Sequence, residues 1–108
     1  MSKILPTWAG RSRFEYSGSV AAGTEILYGM KPYRQRITAA QYRALLAHFG
    51  GATAEIGTSF DNPPAGSVGE WLQANVTKTA MASYVGPILL EEGYADRVPG
   101  ARSEIRFR

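Results

Sequence analysis

The chain contains no cysteine and one histidine, His48. The first absence excludes disulfides and thiolate metal ligands, and it suits a reducing compartment. The second leaves no partner imidazole for a Cys–His or His-rich metal site, so His48 reads as a residue at the rim of a packed face. Long apolar runs are missing too. None approaches the roughly 20 residues that span a bilayer, and the opening stretch "MSKILPTWAGRSRF" has Lys3 but no apolar core of signal-peptide length. The expectation is a soluble, cytoplasmic protein with no membrane partner. There is no G-x-x-x-x-G-K-[ST] loop, no G-x-G-x-x-G and no nucleophile elbow. Glu91 and Glu92 are adjacent and would point apart on a helix. Glu55, Asp61 and Glu70 with Lys78 lack a spacing that specifies carboxylate chemistry. These absences point to a non-catalytic module with no cofactor and no metal.

What is present is a chain of 108 residues, 44% of them hydrophobic, enough for one domain with its own core. The net charge of +3 hides a strong segregation. Residues 1–43 carry seven Lys and Arg against Glu15 and Glu25, whereas residues 44–96 carry Lys78 against six carboxylates. Residues 97–108 carry four arginines against Glu104. Basic segments of this kind serve as the electrostatic footprint of a nucleic-acid binder or as an unevenly charged solvated surface.

Residues 1–37 read as short antiparallel strands. "SRFEYS" and "PYRQRIT" alternate with period two, and "TEILYG" lies between them, all bounded by Gly and Pro. Residues 38–108 read as a helical core. Thr38 and Gln41 have capping-box spacing, and Tyr42, Leu45, Leu46 and Phe49 form an amphipathic stripe that Gly50 and Gly51 end. "ATAEIGT" reads as a short strand and "FDNPPAGS" as a loop. Ser67 and Glu70 again make a capping box, opening a helix that buries Val68, Trp71 and Leu72. After a polar turn, Thr77 or Thr79 caps a third helix over about Thr79–Glu92. Its leading turns are small and polar, and its trailing turns are apolar. Pro87 within it either kinks the helix or starts a second piece, and the stripe of Tyr84, Leu89 and Leu90 favours the kink. Gly93 stops it, and "YADRV" alternates like a strand.

The order helix, short turn, helix, glycine, strand, loop, strand resembles the winged helix-turn-helix family over about residues 38–108. "ILLEEGYADRV" looks like the junction of recognition helix and wing, "PGARS" like the wing tip and "EIRFR" like the returning strand. The resemblance implies an α+β fold: a small N-terminal sheet, then a three-helix core with a C-terminal β-wing. It also implies double-stranded DNA as the partner of a helix-turn-helix over Ser67–Glu92. Lys78, Thr79, Ser83 and Tyr84 would meet base edges or phosphates. Arg97 and Arg102, and behind them Arg106 and Arg108, would meet the DNA backbone. Arg11, Arg13, Lys31, Arg34 and Arg36 form a candidate second basic patch. Such a module works alone as a dimer or within a larger DNA-processing or transcription-regulating system. The departures are Lys78 as the lone cation of the reading helix and Pro87 inside it. Winged helices also serve as protein-interaction adaptors, which stands as the alternative.

Overall fold

The computed structural model describes residues 2–108. Strands β1 (Ser2–Pro6), β2 (Arg13–Ser19), β3 (Gly23–Tyr28) and β4 (Tyr33–Thr38) form an antiparallel meander in chain order. Alternation marked β2 and β4 in the sequence, and β3 was flanked by glycines. β1 was missed because "SKILP" is short and ends at a proline, and its place comes from pairing, with Leu5 opposite Phe14. Period two sorts the side chains. Phe14, Tyr16, Ile26 and Ile37 are buried on the inner face, while Arg34 and Arg36 reach within 4 Å of Glu25 on the outer face.

The rest is α1 (Ala39–Phe49), β5 (Thr53–Glu55), α2 (Val68–Asn75), α3 (Ala82–Glu91), β6 (Ala95–Arg97) and β7 (Glu104–Phe107). The last three strands make a second antiparallel sheet of order β5-β7-β6. The chain is a compact α+β fold with a radius of gyration of 12.5 Å. α1 has both halves of the capping box, Gln41 N–H to Thr38 Oγ1 at 3.1 Å and Thr38 N–H to Gln41 Oε1 at 2.9 Å. Tyr42 Oη and Thr24 Oγ1, 2.7 Å apart, tie it to the meander. α2 has only half of its expected box. Ser67 Oγ accepts from Glu70 N–H, but the Glu70 carboxylate accepts from Gly66 N–H instead of the cap residue.

α3 departs furthest from expectation. It starts three residues late, because Thr77 turns its hydroxyl to Thr79 N–H and Met81 at the cap position supplies no side-chain bond. It runs through Pro87 without breaking. A proline there removes the donor that would reach the Ser83 carbonyl, at a cost of about 3 kcal/mol if nothing replaces it. Trp8, in the turn between β1 and β2, replaces it: its backbone N–H donates to Ser83 O at 2.9 Å. The Trp8 ring lies on Gly86, where an added Cβ would sit 2.7 Å from Cε3 of the indole and 2.9 Å from Ile56 Cδ1. Gly86 and Pro87 together form a socket, one residue removing a side chain and the other a donor. Ala82, Val85, Gly86, Pro87, Ile88 and Leu89 are all buried, so α3 is the central element between the meander and the second sheet.

At its C-terminal end Glu92 accepts from Tyr16 Oη at 2.8 Å and from Val20 N–H at 2.9 Å. Burial pushes the Tyr16 phenol well above its ordinary range, and the bond to Glu92 and that carboxylate's charge push it further. Burial also raises Tyr42, against the opposing effect of its bond to Thr24.

Two outcomes follow from this packing. Gly86→Ala forces the indole off α3 and lowers unfolding free energy by about 1–3 kcal/mol in urea titrations. The tyrosines are favoured as neutral phenols in the fold. Their stabilisation is therefore complete below the unfolded value of about 10 and is lost as pH rises above it. The urea midpoint is expected to fall from about pH 10 upward, less steeply in Tyr16→Phe.

Candidate nucleic-acid interface

The β1–β2 turn closes on itself through Thr7 N–H to Ser12 O and Gly10 N–H to Thr7 O, both 2.9 Å. Gly10 takes a positive φ of 75° there, which its missing Cβ permits. The β6–β7 loop is closed by Val98 N–H to Glu104 O and Ala101 N–H to Val98 O. Trp8 joins the two loops. Its indole Nε1–H donates to Arg102 O at 2.8 Å, and Arg97 donates to Trp8 O at 2.8 Å. The Arg97 guanidinium also lies over the indole, 4.0 Å from the ring centroid, a cation–π contact. This tie brings the loop holding Arg11 against the loop holding Arg102. Both arginines are exposed, and neither side chain forms an ion pair among the described residues.

The other expected site residues divide. Lys78 is exposed in the turn before α3, and its carbonyl accepts from Gln73. Thr79 is half-buried beside it. Ser83 and Tyr84 were expected to face a groove, and both are half-buried. The Ser83 carbonyl is taken by Trp8, and the Tyr84 ring packs 5.2 Å from Phe14 and 4.8 Å from Tyr28, centroid to centroid. Burial raises the Tyr84 phenol accordingly. The physical reason is the apolar inner face of the sheet, which needs a partner and takes this flank of α3. Arg97, expected on a DNA backbone, gives one N–H to Trp8 O and lays its guanidinium on the indole, while the residue stays exposed. Arg106 stays exposed on β7 opposite Asp96. Arg108 makes a two-pronged bond to Asp96 at 2.8 and 2.9 Å, which holds that exposed carboxyl below its usual range.

The second patch is also divided. Arg34 and Arg36 line the outer face of β4, at the sheet edge opposite β1, whereas Arg11 lies at the β1–β2 turn. Arg13 is exposed at the start of β2, and Lys31 lies in the β3–β4 turn at the same end of the sheet. β3 lies between Arg13 and the pair Arg34 and Arg36, about two strand spacings of 4.8 Å, and Glu25 stands within 4 Å of both of that pair.

Among the described residues no three His, Cys, Asp or Glu side chains gather as a metal site, and no helix is long and apolar enough to cross a membrane. The residue that sequence reasoning missed is Trp8. Its only signals were an aromatic in a basic turn and a Gly-Pro pair in an apolar helix, far apart in the chain. No family model, no curated protein and no solved structure matches the chain.

Arg97→Ala removes both the bond and the ring contact that hold the turn. It is expected to cost about 1–2 kcal/mol and to speed hydrogen exchange at the Trp8 amide, whereas Lys78→Ala stays within about 0.5 kcal/mol.

Proposed function

We propose that the chain is a non-catalytic module that binds the phosphate backbone of double-stranded DNA on a winged-helix type of scaffold. The order of α1, β5, α2, α3, β6 and β7, with β7 between its two neighbours, supports that scaffold. The observation that carries the reading is the Trp8 tie, which puts the unpaired Arg11 and Arg102 on two adjoining loop tips. Two cations on rigid loops suit backbone contact, which is sequence-independent and salt-sensitive. Lys78 and Arg106 are further exposed donors. Base reading by Tyr84 is not part of this proposal, because its ring packs on Phe14 and Tyr28 of the meander. The same covering favours the alternative, a protein-interaction adaptor that keeps its would-be reading helix as core.

Fluorescence anisotropy with a random duplex, titrated with NaCl, separates the two. The DNA reading expects binding at low salt that falls steeply as salt rises. Arg11→Ala and Arg102→Ala should each reduce the log–log salt slope by about 0.9 for every phosphate the variant leaves unneutralised. No binding at low salt overturns the DNA reading and leaves the adaptor.

A further inference from the structure

Phe14, Tyr84, Tyr28 and Tyr33 form a row of rings with one open end. Centroids lie 5.2 Å apart from Phe14 to Tyr84, 4.8 Å from Tyr84 to Tyr28, and 5.7 Å from Tyr28 to Tyr33, with 35° between the last two planes. The row starts in the core at the buried Phe14 and ends at Tyr33, which is 59% exposed. Gly29, in the β3–β4 turn, takes a φ of 85°. A Cβ added there would lie 3.2 Å from Cδ2 and 3.6 Å from Cε2 of Tyr33, so the ring rests on bare backbone. Tyr28 and Gly29 hold this ring in place, yet more than half of the residue stays in water.

The charges at this end of the sheet favour an anion. Lys31 is exposed and forms no ion pair among the described residues. Arg13, exposed and equally unpaired, borders one open groove with Gly29 and Pro32, and Glu15 is the carboxylate of that groove. Arg34 follows Tyr33 and shares Glu25 with Arg36, at 3.7 and 3.9 Å. With every one of these included, cations still outnumber carboxylates. An ordered ring without a partner, beside two spare cations, fits a planar base joined to phosphates. In a duplex the bases cover each other's faces. An unpaired strand offers both a bare base and its phosphate, and stacking on aromatic side chains holds such strands with little regard to sequence. Because Tyr33 is already held, binding a base orders little new side chain.

We propose that the β3–β4 turn is a single-strand site, where an unpaired base of DNA or RNA stacks on Tyr33 and the adjoining phosphates meet Lys31 and Arg13. It shares a ligand class with the duplex reading above but none of its residues, so it stands even if Arg11 and Arg102 bind no duplex.

Fluorescence anisotropy of a labelled oligothymidylate and a labelled oligouridylate, titrated with the full chain at low salt, tests this. The tighter of the two tells DNA from RNA. Tyr33→Phe keeps the ring and should bind like wild type, whereas Tyr33→Ala should weaken binding about fivefold or more. Lys31→Ala should lower the log–log salt slope by about 0.7, the share of one phosphate on a single strand. In a chain carrying Arg11→Ala and Arg102→Ala, the loss on Tyr33→Ala should be unchanged, because the two sites act independently. Tyr33 and Lys31 are exposed, so the fold should tolerate these changes, and circular dichroism checks it. No binding of either strand overturns the proposal. So does binding that ignores Tyr33→Ala, or binding that vanishes with Arg11 and Arg102.

Discussion

A tryptophan indole laid across Gly86, with its own amide bonded to the carbonyl that Pro87 leaves without a donor, joins the two halves of this protein. Beside it, the two parts share one buried core and the bonds of Tyr42 to Thr24 and of Tyr16 and Val20 to Glu92. The Trp8 contact costs little in backbone strain, because the turn that carries it is closed by its own hydrogen bonds. It also reaches both ways. One edge of the ring packs on α3, and the indole N–H holds the β6–β7 loop through Arg102 O. Pro87 is then no defect. In an uninterrupted helix Trp8 would have to share the Ser83 carbonyl with a helical N–H.

The same packing decides which surfaces are free to work. A helix with six buried residues of ten and a tyrosine packed on a sheet is core. In its leading turn the Ser83 carbonyl is taken by Trp8 and the Tyr84 ring by the meander. The exposed cations and large apolar side chains are therefore at the periphery, among them Arg11 and Arg102 on two loop tips and Phe60 on the loop before α2. Exposed charges at such places act through long-range fields and through desolvation at a partner's surface, and they add little to stability.

Local signals were legible where one residue or one period carries the information. Thr38 and Gln41 mark the start of α1, Ser67 marks α2, and alternation marks β2 and β4. These depend on contacts within four residues or on a repeat of two. The start of α3 was misread because Thr77 and Thr79 are good cap residues by type. Neither is used: the helix begins at Ala82 after the buried Met81, which offers no side-chain cap. The site residues divide the same way. That Arg11, Arg34, Arg102 and Lys78 are exposed follows from charge. That Arg97 is engaged by an indole 89 positions away does not.

By itself, the sequence determined that the chain has no disulfide and no thiolate metal site. It also determined most of the strands and helices, and the segregation of charge into basic ends and an acidic middle. Tertiary structure alone decided that α3 is covered, that Gly86 and Pro87 form a socket, and which cations share a corner. The reason is physical. Propensity, capping and amphipathic period are set by near neighbours along the chain. The covering of a helix face is set by which distant apolar surface gains most by leaving water, and no local pattern encodes that choice.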